Sequence, residues 1–404
     1  MLEVTEFLLQ RGIIQILFFL IVSLGFFAPV LVWAERRQSA MIQDRIGPIR
    51  AGPSVSFVTR WPGGAALLKV FEKIGICHAG RLTMFGLLHP LADAIKFIWK
   101  EDFVPPRADK LLHALAPIIA VVPAIVAFAV IPFAAPIHLD RLWDPVTEAP
   151  SGPGIPMQVA SLNVGILFVF AVASTGVIGA AIAGYSSDNK YSLLGGLRAA
   201  GQMVSYEVTL GLTLVGCFMV YASLRLEDAV AWQMNNDFFG WLPAWGIFVQ
   251  PLAFILFFTA SVAETKRIPF DVPEGESELV GGYFTEYSGM KFGMFFTGEF
   301  IEVVVLAALL TTLFLGGYHM PGLHPSGIVI GELVQWDLPH LVVIVLQAVV
   351  FLVKVAGLIW FQLMIRWTLP RFRYDQIMKL CWRYLLPLSL LNILITGFVI
   401  LWRQ

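Results

Sequence analysis

The chain has 404 residues, of which 58% are hydrophobic and only 14% charged, with a mean hydropathy of +0.77. That balance excludes an ordinary soluble two-domain enzyme and indicates a polytopic membrane protein. A net charge of −1 offers nothing to a nucleic-acid partner, and Cys77, Cys217 and Cys381 stand too far apart for a zinc or iron–sulfur signature.

Eight apolar runs of about 17–25 residues, the length a hydrocarbon core of about 30 Å requires, mark transmembrane helices. They cover residues 12–34, 115–134, 162–184, 201–223, 245–263, 292–317, 339–364 and 383–402. Glu3 and Glu6 stand where a secretory signal carries basic residues, so the first run reads as a retained anchor. No strand pattern or internal repeat stands out, and the expected fold is an all-α polytopic membrane domain.

Twelve Lys and Arg residues, from Arg36 to Lys110, crowd the first connection. The third, fifth and seventh connections add 2, 3 and 4, against one, one and none in the second, fourth and sixth. The positive-inside rule then puts the odd connections in the cytoplasm and both termini outside. The first connection also holds FGLLHPLADAIKFIWKED, with Asp93, Lys96 and Lys100 along one polar stripe. This pattern predicts an amphipathic helix lying in the membrane interface. A surface helix packed on the same protein has the same periodicity.

The fifth connection, residues 264–291, is an acidic stretch in an apolar chain. Glu264, Asp271, Glu274, Glu276, Glu278 and Glu286 surround a single Lys–Arg pair, Lys266 and Arg267. Pro269 and Pro273 rule out a regular helix through its first part. Backbone freed in this way must sit in protein or line a wet cavity, because lipid cannot satisfy it. Glu274, Glu276 and Glu278 recur every second residue, interleaved with Phe270, Val272, Leu279 and Val280, which suggests partial burial. Carboxylates also suit Mg²⁺ or Ca²⁺, but no EF-hand spacing is present and no metal is expected.

Inside the spans lie Glu207 in the fourth and Glu299 with Glu302 in the sixth. Ionisable groups there are costly and commonly face a partner or a wet interior. Two carboxyls at i and i+3 raise one another's proton affinity, which a proton relay uses. Tyr206 either relays a proton or packs in the bundle interior. Lys354 is either a counter-charge to one of these acids or a snorkelling side chain. Basic groups beside Glu35 (Arg36, Arg37 and Arg45), Lys190 with Arg198, and Arg366 through Arg373 suit topology anchoring or ion-paired docking on another protein chain.

QDRIGPIRAGP, LADAIKFIWKED, SSDNKYSLLGGLRAAGQMVSYE, AETKRIPFDVPEGESELVGGYFTEYSGMKF and TLPRFRYDQIMKLCW occur in this order. Together they resemble the H (quinone-site) membrane subunits of respiratory complex I, the proton-pumping NADH:quinone oxidoreductase. The resemblance implies a subunit with no redox centre or cofactor of its own, quinone as substrate, and FMN and iron–sulfur clusters in partner subunits. It implies a bacterial inner-membrane location, peripheral-arm quinone-module subunits on the cytoplasmic side, and small and antiporter-like subunits and lipids in the membrane. Carried over, Arg36, Arg45, Arg267, Asp271 and Phe296 line the quinone cavity and its loop. Glu207, Glu264, Asp271, Glu274, Glu276, Glu278, Glu286 and Glu299 form the proton-coupling chain, with Tyr206, Lys190 and Arg198 as relay or pairing groups. Residues 54–84 depart from the family as an insertion, and Lys266 stands where the family usually has Asn. The rival readings are the membrane anchor of a related hydrogenase, an ion-coupled secondary transporter, and a purely structural anchor.

Overall fold

The computed structural model describes residues 27–48, 51–54, 69–73, 77–78, 81–138, 154–238, 242–324, 327–330 and 334–403. Most of the first expected span, residues 12–26, and most of the 54–84 insertion lie outside the described residues. The first helix described, α1 (Ala28–Ile42), continues that span into the charged 35–37 segment.

An amphipathic helix follows, α2 (Leu88–Trp99), with Leu91, Ile95, Ile98 and Trp99 exposed along its apolar side. Then come α3 (Lys110–Ala127, extended by a 3₁₀ turn to Val130), α4 (Gly165–Ser186) and α5 (Lys190–Tyr221). Asp109 caps α3 by accepting from the amides of Leu111 and Leu112 at 3.0 and 3.2 Å. After the short α6 (Leu226–Asn235), the expected fifth span is broken. Gln250 separates α7 (Gly246–Val249) from α8 (Pro251–Glu264), because Pro251 has no amide proton to continue the helix. The Gln250 side chain joins Thr396 and Asn392 at 2.8 and 3.1 Å, a polar patch at the break.

The acidic connection contains a one-turn helix, α9 (Glu276–Leu279), and leads into α10 (Gly289–Phe314), the most enclosed of the long helices. The chain closes with α11 (His340–Thr368) and then α12 (Tyr374–Lys379), which runs through a π-helical turn into α13 (Leu386–Arg403). Six of these described stretches are long and apolar enough to cross a membrane, at Lys110–Val130, Gly165–Ser186, Lys190–Tyr221, Gly289–Phe314, His340–Thr368 and Tyr374–Trp402. The protein is therefore all-α and polytopic. Contrary to the sequence expectation of no strands, its connections hold short antiparallel pairings: Cys77–His78 with Arg81–Leu82, Asp237–Phe238 with Leu242–Pro243, and a three-stranded patch at 323–337. Two- to four-residue strands carry too little alternation to register as a pattern.

The bundle is organised on α5, which packs against α4, α8 and α13, while α10 packs against α3 and α11. Small residues set the closest approaches, as expected where backbones rather than large side chains must meet in lipid. A Cβ on Gly184 of α4 would stand 3.0 Å from the Gly196 Cα of α5.

Lys354 reaches neither acid cluster. Its ammonium donates to the carbonyls of Leu315, Gly317 and His319 at 2.7, 3.0 and 2.5 Å, where α10 ends, and lies 4.5 Å from the Trp245 ring centroid. A cation there satisfies orphan carbonyls and the negative end of the helix dipole. Lys354→Met is expected to cost about 1–3 kcal/mol by leaving those carbonyls dry. A lowered melting temperature of the purified complex checks this, with an unchanged melt ruling out the cap as a stabilising element.

Candidate functional site

The loop between α8 and α10 is held in place by contacts to its backbone as well as by its charges. Gln202 of α5, fully buried, donates from Nε2 to the carbonyls of Ala263 and Phe270, both at 2.8 Å. The amide of Phe372 donates to the carbonyl of Pro269 at 2.9 Å, and the Ile268–Pro269 peptide is cis. These ties satisfy backbone that the prolines released from helical pairing.

The structure sorts the six loop carboxylates into different surroundings. Glu278 pairs with Arg198 at 2.6 Å, with both side chains partly exposed. Glu286 accepts from Asn189 Nδ2 at 2.7 Å, and the Asn189 Oδ1 caps α5 by accepting from the Tyr191 amide. Those two acids fasten the loop to the start of α5. Asp271, buried, pairs with Arg371 at 2.8 Å. Glu276 is in α9, but its side chain lies outside the described residues. Glu264 and Glu274 turn inward.

Two neighbouring clusters form the site. The first is an ion triad missed at the sequence level. Glu35, read there only as part of a basic segment, accepts a hydrogen bond from Arg267 at 3.1 Å and forms an ion pair with Arg366 at 2.5 Å. It thereby ties α1 to the loop and to α11. Arg267 also lies 4.2 and 5.7 Å from the ring centroids of Phe300 and Phe296, and its guanidinium approaches Glu299 at 3.9 Å. No sequence signal distinguishes Glu35 from a solvated helix-end acid, because its partners lie more than 200 residues away.

The second cluster lines a small cavity of about 50 Å³ between α3, α4, α5, α8 and α10. Glu207, Glu264, Glu299 and Glu302 face it, together with Lys266 and Tyr283. A space of that size and polarity admits a few water molecules. The Ser174 hydroxyl donates to Glu207, and the Tyr283 hydroxyl donates to Glu299 at 3.1 Å. Glu299 therefore belongs to both clusters, one oxygen towards Tyr283 and the cavity, the other towards Arg267 and the triad. The sequence marked Glu302 only as the neighbour of Glu299, but the fold gives it an equal place in the cavity wall.

Electrostatics in the loop favour proton binding. Burial pushes the Asp271 carboxyl up to about 6, although Arg371 pulls the other way and Glu299 adds to the rise. Burial likewise raises Glu274 well above the ordinary carboxylate range, reinforced by Glu299 and Asp271. Burial alone would lower the Lys266 ammonium, but the carboxylates of Glu302, Glu299 and Glu264 outweigh it and hold the proton. Carboxyls poised in this way exchange protons near neutral pH when a nearby charge changes.

The remaining predicted residues lie elsewhere. Arg36 pairs with Asp93 of α2 at 2.5 Å, and Arg45 donates to the Ser39 hydroxyl at 3.0 Å. Lys190 is exposed, its ammonium 5.3 Å from the Tyr191 ring centroid. The Tyr206 hydroxyl donates to the Ile377 carbonyl at 2.9 Å, away from the cavity, and its ring packs on Phe270. Among the described residues no group of three or more His, Cys, Asp or Glu is gathered as a metal site.

Comparison with known proteins places this architecture. A family model described as NADH dehydrogenase matches residues 14–397. The NADH-quinone oxidoreductase H subunit numbered 1 in Geobacter metallireducens is 44% identical, over 96% of this chain and 96% of its own. The one numbered 2 in Geobacter sulfurreducens is 45% identical, covering 96% of this chain and 95% of its own. The corresponding protein of Bdellovibrio bacteriovorus is 40% identical over 92% of this chain and 91% of its own. Matched over nearly its whole length by the family model and by these relatives, the chain belongs to the NADH dehydrogenase family.

Proposed function

We propose that this chain is the quinone-site membrane subunit of a bacterial proton-translocating NADH:quinone oxidoreductase. In this reading it holds no redox centre, and FMN and iron–sulfur clusters reside in peripheral-arm partners. The loop end of the bundle faces the cytoplasm and those partners, both termini face the periplasm, and α2 lies in the interface with its apolar side in lipid. Arg373, exposed and paired with Asp375 of α12, and the partly exposed Arg198–Glu278 pair suit ion-paired docking on the arm.

The observation that carries the reading is the position of Glu299 between the Glu35–Arg267–Arg366 triad and the four-carboxyl cavity. Quinone reduction takes up two electrons and two protons to give the quinol. A change of charge beside Arg267 and Asp271 alters the proton affinity of Glu274, on which both groups act, and the field felt by Glu299. Glu299 then passes the change to Glu264, Glu302 and Glu207, and so into the membrane. Arg267 orients and neutralises, Asp271 and Glu274 hold protons at the loop, and the cavity waters connect the acids.

Glu207→Gln and Glu299→Gln, made separately, test this. Each is expected to assemble, as judged on a native gel. Each is also expected to lower NADH:quinone turnover or its coupled proton pumping by about 100-fold, the low end of what losing a proton-transfer group costs. Assembled variants that turn over and pump like the parent would refute the coupling role.

A further inference from the structure

Among the described residues Lys266 is the one cation in the wall of the carboxylate cavity, and the coupling path does not use it. It follows α8 directly, in a left-handed backbone conformation (φ 54°) that a long side chain rarely adopts. The residue is buried, 8% exposed, yet among the described residues no ion pair or hydrogen bond ties its ammonium to a single acid. Instead it shares the cavity with Glu207 from α5, Glu264 from α8, and Glu299 and Glu302 from α10. Glu274, Tyr283 and Arg267 of the loop complete the charged and titratable groups around it.

We propose that Lys266 is the resident counter-cation of this cavity, a positioning residue that fixes how many of its acids stay ionised at rest. The inference rests on the coupling function proposed above and deepens it. Four carboxyls within one small space cannot all ionise without a compensating charge. An ammonium committed to one of them would fix a single ion pair and leave the other three to repel. One that faces the shared space acts on all four, with water as the intermediary. Lys266 takes its left-handed conformation just after α8, whose last residue, Glu264, lines the same cavity. Arg267, next in sequence, hydrogen-bonds Glu35 at 3.1 Å and reaches the cavity acids only at their edge, 3.9 Å from Glu299, so Lys266 is the cation that faces the shared space.

The sign follows from Coulomb's law. Removing the positive charge makes each further negative charge in the shared space more costly. Any step that requires the acids ionised then moves to higher pH. At the separations a cavity of this kind imposes, the shift is about one pH unit.

The test uses the complete complex in inverted membrane vesicles. The pH profiles of NADH:quinone turnover and of proton pumping are compared for the parent, Lys266→Met, Lys266→Arg and the double variant Lys266→Met with Glu302→Gln. Lys266→Met is expected to displace the profile about one unit to the alkaline side, and Lys266→Arg to return it. The double variant, which removes one acid along with the cation, should lie between Lys266→Met and the parent. A packing role for the lysine stem predicts neither the shift nor the rescue. An assembled Lys266→Met with the parent's profile overturns the proposal, as does a Lys266→Arg displaced as far as Lys266→Met. Should Lys266→Met not assemble, Lys266→Gln gives the same reading, and failure of both neutral variants makes the charge structural and rejects the inference. Failure here is separable from failure of the coupling reading. If Glu207→Gln and Glu299→Gln still abolish coupling while Lys266→Met leaves the profile in place, only the role of Lys266 falls.

Discussion

Replacing Glu35 with alanine is expected to remove most of the assembled complex from the membrane. The carboxylate is buried and ion-pairs with two guanidiniums, Arg267 at 3.1 Å and Arg366 at 2.5 Å. Without it Arg366 loses its ion-pair partner, and Arg267 keeps only the longer approach of Glu299 at 3.9 Å. Breaking a buried ion pair by deleting one partner costs about 3–5 kcal/mol, a large part of a membrane domain's margin. The loss also releases three elements at once, since Glu35 is on α1, Arg366 on α11 and Arg267 in the loop. Native gels and the melting temperature of the extracted complex measure it. Adding Arg366→Leu to Glu35→Ala should restore part of the lost assembly, because one stranded charge is removed. A Glu35→Ala complex as abundant and as heat-stable as the parent would mean that packing alone holds α1 against α11.

The same triad marks how far the sequence could be read. Long apolar runs declare themselves through composition, so the runs at 115–134, 162–184, 201–223, 292–317, 339–364 and 383–402 each overlap a long helix. The break at Gln250–Pro251 was visible as a proline, but the run around it was apolar enough to hide the interruption. The prolines that excluded a helix at 264–275 do so in the structure, where only a single turn forms after them. What sequence could not supply is which charge meets which. Glu35 looked like part of a basic anchor, Lys354 had two possible destinations and took the carbonyl end of α10, and the loop acids looked like one group. Pairing depends on helices separated by dozens to hundreds of residues. The residue types say only that a buried charge needs a partner. The cavity acids Glu207 and Glu299 were legible for the same reason, because a carboxyl inside a span is conspicuous by its cost alone.

Gly282→Ala is expected to lower quinone turnover more than tenfold even where the complex assembles, and its neighbour Gly281→Ala to be nearly silent. Gly282 has φ 57°, and a Cβ built on it would overlap the Pro273 carbonyl oxygen. The added methyl meets backbone on the far side of the loop, so no side-chain rotation relieves the overlap. A non-glycine residue in that conformation costs about 1–2 kcal/mol before the clash is counted. The position also has no room on its other face. Gly195 of α5 approaches so closely that its own Cβ would stand 2.7 Å from the Gly282 Cα and from the Tyr283 amide nitrogen. This glycine contact seats the 3₁₀ turn Gly282–Phe284 on α5 and carries Tyr283 to within 3.1 Å of Glu299. Displacing the turn therefore moves the hydroxyl that orients the acid shared by both clusters. Gly281 has φ −155° and its nearest contact would be the Thr285 hydroxyl at 3.4 Å, ordinary packing that alanine tolerates. Tyr283→Phe separates the two effects, since it deletes the hydrogen bond, worth about 1 kcal/mol, and leaves the turn seated. Turnover and native-gel abundance for the three variants give the ranking, with Gly282→Ala lowest in turnover and Gly281→Ala closest to the parent. Equal turnover in Gly282→Ala and Gly281→Ala would show that coupling does not depend on how this loop sits against α5.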